Sequence, residues 1–145
     1  GLQIQEEITM ADYTITSANV KISGSNVRAT TVVAGETISE GQLVYLDSVS
    51  GKYKLALATA EASANVVGVS LTSAVLDGSF LIQSTRNYFA GTTLVAGDPV
   101  YLSATAGAIC PHADLVSTNY VTLLGHAIST SEIEISLDVT GIAIA

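Results

Sequence analysis

The sequence predicts an all-β fold: a small β-barrel or β-tulip-like domain that is built from an internal duplication and carries an extended N-terminal arm. Three observations support this prediction. Thr, Ser, Val, Ile, Ala and Gly dominate the chain, and this composition favours short strands over long surface helices. Apolar and polar residues alternate in several segments. One stretch of the sequence also occurs twice.

The clearest strand is predicted for the segment EIEISLDV near the end of the chain. Its apolar residues recur at every second position, so they share one face of a strand. These residues are Ile133, Ile135, Leu137 and Val139. Residues 43–46, LVYL, are continuously apolar, which predicts a strand covered on both faces. The Ala-rich segment 55–64 lacks an apolar stripe, so we expect one helical turn there at most.

A stretch of thirteen residues occurs twice, as AGETISEGQLVYL at 34–46 and as AGTTLVAGDPVYL at 90–102. The two copies align without a gap at an offset of 56 residues. The similarity continues downstream, where VVGVSLTS at 66–73 aligns with LLGHAIST at 123–130. Because the matching positions fall in ungapped blocks, we interpret them as an internal duplication.

The duplication determines the expected domain organisation. Two quasi-repeats, about 34–83 and 90–138, form a single β domain that covers residues 31–145. A unit of this size buries little surface alone, so we expect the two copies to pack around one core. Residues 1–30 lie outside the duplication and are predicted to form the extended N-terminal arm.

Four repeated residues are predicted to have structural roles. Gly41 corresponds to Gly97, and Tyr45 corresponds to Tyr101. Each glycine lies just before the Val-Tyr-Leu strand of its copy, where a tight turn or a positive φ is expected. Each tyrosine lies within that strand, and we expect the two rings to fill equivalent core positions.

The charge balance disfavours several classes of partner. Five Lys and Arg residues stand against thirteen Asp and Glu residues, and the formal net charge is -8. Five scattered cations do not build the basic face that nucleic acids require, and an acidic protein is repelled by anionic membrane surfaces. No apolar run approaches the ~20 residues that cross a bilayer as a helix. We therefore expect neither nucleic acid nor a membrane among the partners.

Cys110 and His112 are the one Cys/His pair that lies close together in the sequence. Residues two apart in an extended segment share a face, as a thiolate and its general base would. A nucleophilic site also needs an orienting third group and an oxyanion hole, which the neighbouring sequence does not suggest. We therefore predict a buried thiol beside a loop histidine. We expect no enzyme activity, no catalytic residue, no cofactor, no metal and no small-molecule substrate.

Lys52 and His126 are two further candidates for chemistry. Lys52, in SGKYK, lies where a carrier domain would present a modified lysine, but the residues around it differ from that motif. We interpret it as a solvated turn residue. His126 occupies a position that holds Val69 in the first copy, which favours packing over metal binding.

The chain contains the pattern AG-T-(I/L)-x-x-G-x-x-VYL, followed by the segments GKYKLA, VVGVSLTSA and EIEISLDV. In this pattern it resembles the small capsid cement, or head decoration, proteins of tailed bacteriophages. The resemblance spans about residues 30–139. It implies a compact β-tulip or barrel-like domain, often a homotrimer, on the outer surface of the virion capsid. Such trimers bridge neighbouring subunits of the major capsid protein and stabilise the shell. The family has no catalytic residues to transfer to this chain.

The N-terminal arm is the segment for which we expect contacts outside the domain. Its apolar residues alternate with polar ones, as in a strand that adds to the edge of a neighbouring sheet. The predicted contacts with the capsid or a second protomer are Leu2, Ile4, Ile8, Met10, Tyr13 and Ile15. A second interpretation stays open: a phage head-fibre or tail receptor-binding β module that recognises a host surface glycan. That function favours exposed aromatic residues or a calcium loop, and the sequence is poor in both.

Overall fold

The computed structural model describes residues 12–24 and 27–145. Within these ranges the regular structure is almost entirely β-strand, which confirms the predicted all-β class. Short 3₁₀ turns occur at Ser17–Asn19 and His112–Asp114. The predicted contact residues that lie outside the described residues are Leu2, Ile4, Ile8 and Met10.

The strands form two antiparallel sheets. In chain order they are β1 (Val20–Ile22), β2 (Ala29–Val33), β3 (Leu43–Asp47), β4 (Lys52–Leu55), β5 (Gly68–Ser70), β6 (Ser79–Gln83), β7 (Arg86–Ala90), β8 (Pro99–Leu102), β9 (Ile109–Cys110), β10 (Tyr120–Ala127) and β11 (Glu132–Ala143). Sheet 1 has the spatial order β2-β6-β5-β3-β4, and sheet 2 has the order β1-β7-β11-β10-β8-β9. The two sheets do not form a closed barrel.

The two sheets have the same topology. When β7 to β11 are matched in order with β2 to β6, the spatial order of sheet 2 repeats that of sheet 1, and β1 is added beside β7. The register also agrees. Tyr45 faces Lys54 across the β3–β4 hairpin, and Tyr101 faces Cys110 across the β8–β9 hairpin. This correspondence is expected of an internal duplication in which each copy forms one of the two sheets.

The main core contains side chains from both sheets. Leu43 and Val69 come from sheet 1, and Tyr88, Val100 and Ile133 come from sheet 2. Each of these side chains is fully buried. Because burial of apolar surface provides most of the stabilisation of a small domain, the two copies depend on each other through this shared core.

A smaller cluster of buried residues in sheet 1 includes Val44 and Phe80. Leu43 belongs to the main core and Val44 to this cluster, so the start of β3 is covered on both faces, as predicted. The prediction is wrong for the end of the strand, where Leu46 is 47% exposed. The reason is that β5 pairs with β3 only at Leu43 and Val44, so Leu46 has a neighbouring strand on one side alone.

The alternation predicted for β11 is present from Ile133 to Leu137 but does not extend to Val139, which is 37% exposed. Ile133 and Ile135 are buried and Leu137 packs against the main core, whereas the intervening Glu134 and Ser136 are exposed. The Ala-rich segment forms turns, and the Ala64 N–H donates to the Ala60 carbonyl at 3.0 Å. This single helical turn agrees with the prediction.

The repeated glycines behave as predicted, and the repeated tyrosines do not. Gly41 has φ of 87° and Gly97 has φ of 93°, a region that side chains with a Cβ disfavour. Both tyrosines are only half-buried. Tyr45 packs against the main core, but the Tyr101 ring lies edge-to-face with His112, with ring centroids 5.4 Å apart. Because the residues on either side of Tyr101 point into the core, strand alternation places its ring on the other face.

Candidate functional site

The N-terminal residues that the structure describes connect the two ends of sheet 2. The Tyr13 N–H donates to the Ile109 carbonyl at 3.0 Å, and the Thr16 N–H donates to the Gly91 carbonyl at 2.6 Å. The chain then turns and continues as β1, which pairs with β7. We call residues 13–22 the closing segment, because they link the β9 end of the sheet to the β7 end.

Sheet 1 connects the corresponding ends without an added segment. The Gly35 N–H donates to the Tyr53 carbonyl at 2.7 Å, and Ala34 forms an isolated parallel bridge with Tyr53. At the offset of 56 residues, Gly35 corresponds to Gly91 and Tyr53 corresponds to Ile109. In sheet 1, Gly35 and Tyr53 therefore contact each other directly, whereas in sheet 2 the closing segment lies between the corresponding residues Gly91 and Ile109.

Two of the predicted contact residues, Tyr13 and Ile15, lie in the closing segment. Both are half-buried and pack against the main core of their own domain. Burial raises the pKa of the Tyr13 phenol, and nearby Asp98 and Cys110 raise it further. Their role in contacts with a capsid or a second protomer stays a prediction.

A groove of about 600 Å³ opens between the closing segment and β7. Its walls carry the hydroxyl groups of Thr14, Thr16, Thr92, Thr93 and Ser131. Asn19 adds an amide, Phe89 adds an aromatic ring, and Lys21 adds a cation. No local motif marks this groove, because its walls come from three separate parts of the chain, within residues 14–21, within residues 89–93 and at Ser131.

Lys21, Phe89 and Glu132 lie side by side across three strands, because Phe89 faces Lys21 in β1 and Glu132 in β11. The Lys21 Nζ lies 5.4 Å from the centroid of the Phe89 ring. The Glu132 carboxylate accepts a hydrogen bond from the Ser23 hydroxyl. Lys21 lines the groove and is not part of the ion pairs among the described residues.

Cys110 is fully buried in β9, and its thiol lies 3.7 Å from the Leu102 carbonyl. Burial, with the charges of Asp114 and Asp12, raises the pKa of this thiol to about 12. A nucleophilic cysteine needs a lowered pKa and access to solvent. The predicted buried thiol is therefore confirmed. His112 is exposed and its ring contacts Tyr101.

Asp12, which immediately precedes the closing segment, connects it to two further residues. Its carboxylate accepts a hydrogen bond from the Ser103 hydroxyl. Burial and a hydrogen bond with Asp12, together with the charge of Asp12, raise the pKa of the Asp114 carboxyl. The ligand atoms of Asp12, Cys110 and Asp114 lie within 4.8 Å of one another. A protonated thiol is a poor metal ligand, because metals bind the thiolate.

Lys52 and His126 have surface roles. Lys52 lies at the start of β4, and its ammonium forms an ion pair with Asp77. The imidazole of His126 is exposed, with Nε2 at 3.5 Å from the Glu134 carboxylate. The predicted packing role of His126 is wrong, because the residues on either side of it in β10 are buried and strand alternation directs its ring outwards.

Three of the most exposed apolar side chains of the described residues lie in two loops that connect strands of sheet 1. Val49 is 94% exposed at the β3–β4 turn, and Val75 and Leu76 are 69% and 58% exposed in the loop before β6. The ion pair between Lys52 and Asp77 holds these two loops together. We call Val49, Val75 and Leu76 the apolar loop end. The sequence pattern did not predict this surface, because the strands that carry the loops are adjacent only in the folded sheet.

Neither a comparison with protein-family models nor a comparison with curated proteins finds a match for this chain. Among the residues that the structure describes, none belongs to a helix with the length and hydropathy needed to span a bilayer.

Proposed function

We propose that this protein is a structural decoration protein that binds the outer surface of a bacteriophage capsid. It bridges neighbouring subunits of the major capsid protein and has no enzymatic role. The observation that carries this proposal is the apolar loop end, where Val49, Val75 and Leu76 project into solvent from two loops of sheet 1 that the Lys52–Asp77 ion pair connects. Exposed apolar side chains that lie close together are typical of protein docking surfaces.

Three properties of the chain support a structural role. The resemblance described above covers most of the sequence and extends over both copies. The two sheets share one core, so a force applied to the loops of one sheet reaches the other through packed side chains. The net charge of -8 favours the outside of a shell over contact with packaged DNA.

The direct test is to mix the purified protein with undecorated capsids of the source phage and to measure binding by sedimentation. We expect saturable binding, with a stoichiometry that follows the capsid lattice, and greater resistance of the shell to heat. A homotrimer on the shell requires interfaces that bury over ~1,000 Å². A protein that stays in the supernatant at every concentration would refute the proposal.

Matched variants separate the apolar loop end from other exposed apolar residues. Leu76→Asp places a charge in the proposed interface, and we expect it to weaken capsid binding by about tenfold or more. Val95→Asp is the control, because Val95 is 63% exposed in a loop of sheet 2. Equal losses in the two variants would show that the apolar loop end is not the docking surface.

The predicted role of the N-terminal arm has its own test. Removal of residues 1–11 deletes the predicted contacts Leu2, Ile4, Ile8 and Met10 and leaves Tyr13 and Ile15 in their domain contacts. We expect this truncation to weaken capsid binding while the free energy of unfolding changes little. Unchanged capsid binding would exclude the arm from the interface.

A further inference from the structure

We propose that the groove beside the closing segment binds an acidic saccharide, that is, a sugar that carries a carboxylate. This activity is separate from capsid attachment. It involves recognition alone, with no bond made or broken. The proposal depends on which chemical groups line the groove, on the cation among them, and on the size of the groove.

The groove walls match a polyhydroxylated ligand. Five hydroxyl groups and the Asn19 amide converge on one cavity, and each of these groups both donates and accepts hydrogen bonds. The Phe89 ring adds an apolar surface on which the C–H face of a pyranose ring packs. A cavity of about 600 Å³ lies within the range of small-ligand sites and has room for two or three sugar units.

Lys21 determines the charge of the ligand. Its ammonium lies over the Phe89 ring, and no carboxylate of the described residues forms an ion pair with it, so a ligand carboxylate would complement this charge. A single ammonium suits one carboxylate, because groups of higher charge such as phosphate are usually bound by several cations or by the forked guanidinium of arginine. In a chain with a net charge of -8, one cation in a groove is a distinctive local feature.

Glu132 is the acidic residue next to the Lys21–Phe89 pair. It lies on the far side of Phe89 from Lys21, and its carboxylate is held by the Ser23 hydroxyl. A carboxylate-bearing ligand therefore meets attraction at the β1 side of the groove and repulsion at the β11 side. This asymmetry predicts that the acidic group of the ligand lies next to Lys21.

The test is an NMR titration of the ¹⁵N-labelled full chain with sialyllactose, and with lactose as the neutral comparison. We expect sialyllactose to shift the amide signals of the closing segment and of residues 89–93, and to bind about tenfold more tightly than lactose. Sodium acetate at equal concentration controls for simple anion binding. Equal shifts with acetate, equal affinities for the two sugars, or no shift at millimolar sialyllactose would overturn the proposal.

Three variants assign the interaction to particular side chains. Lys21→Gln removes the cation and should abolish the preference for sialyllactose, whereas Glu132→Gln removes the opposing charge and should tighten binding severalfold. Arg28→Gln is the matched control, because Arg28 is exposed but does not line the groove. A preference that survives Lys21→Gln, or disappears in Arg28→Gln, would contradict the assignment. Capsid sedimentation of the same variants should be unchanged, so failure of one proposal is distinguishable from failure of the other.

Discussion

The β3–β4 hairpin of sheet 1 and the β8–β9 hairpin of sheet 2 occupy equivalent places in the two copies, but their chemistry differs. In the first hairpin, Asp47 and Lys54 form a half-buried ion pair with a distance of 3.2 Å. At the offset of 56 residues, the second hairpin has Ser103 and Cys110, which are both buried. The same backbone arrangement therefore supports a partly solvated ion pair in one copy and uncharged side chains in the other.

The closing segment explains this difference. In sheet 2 it passes β9 and excludes water from the hairpin, and Asp12 provides the carboxylate that binds Ser103. In sheet 1 no such segment of the described residues covers β4, so the charged side chains at the matching positions keep partial access to water, and an ion pair near the surface contributes little to stability. The closing segment lies outside the repeat, and it thus changes which residues are tolerated at equivalent positions of the two copies.

The largest expected effect compares the two repeated glycines. Both have positive φ, but a Cβ at Gly41 would lie 2.9 Å from the Ile15 and Val20 side chains, whereas a Cβ at Gly97 would meet no atom within 4 Å. We expect Gly41→Ala to lower the free energy of unfolding by about 2–4 kcal/mol and Gly97→Ala by about 1–2 kcal/mol. Urea denaturation measures both values. Equal losses would mean that the closing segment does not pack on Gly41 as described.

The next effect compares Cys110 with its counterpart Lys54. Cys110→Ala removes a fully buried side chain and should cost about 1–2 kcal/mol, whereas Lys54→Ala should leave thermal unfolding nearly unchanged. The native thiol should also resist aromatic disulfide reagents, because burial keeps it protonated. Tyr13→Ala opens the closing segment and should speed labelling. Rapid labelling of the unaltered protein would contradict the burial of this thiol.

Tyr88 and Val32 provide a smaller comparison. They correspond at the offset of 56 residues, and both are buried in the core of their sheet. The Tyr88 hydroxyl has no hydrogen-bond partner among the described residues, and its burial raises the pKa of the phenol. Tyr88→Phe removes this unpaired polar group and should raise the free energy of unfolding by about 1 kcal/mol. A clear loss of stability would indicate that the hydroxyl is hydrogen-bonded.

The smallest effect concerns pH and the carboxyl of Asp114. Its pKa is raised in the folded protein above the ordinary value of 3.8, so the folded state retains this proton over a range in which the unfolded state has lost it. This contribution to stability is therefore largest at low pH and decreases as the pH rises from 3.8 through the raised pKa. Asp114→Asn should remove that part of the pH dependence, measured as unfolding free energy against pH. An unchanged slope would show that Asp114 titrates normally.

The parts of the structure that the sequence predicted depend on local patterns. Alternation identified β11, and repeated glycines identified turns with positive φ, because each pattern reflects the geometry of a few adjacent residues. The core role of Tyr101 was predicted wrongly, because an apolar strand does not reveal which of its faces is covered. The groove was missed, since Lys21 and Phe89 become neighbours only through pairing of distant strands.

The closing segment also affects the order in which the molecule is completed. Its residues are synthesised before both copies of the repeat, yet Tyr13 and Thr16 bind backbone groups of Ile109 and Gly91, which are synthesised more than seventy residues later. Contacts between residues so distant in sequence are slow to form, because a long loop must close before they contribute any stabilisation. Sheet 1 has the residues for its own strand pairing before the second copy emerges. The closing segment is therefore expected to be among the last parts of the domain to reach its final position, although it is synthesised before both copies.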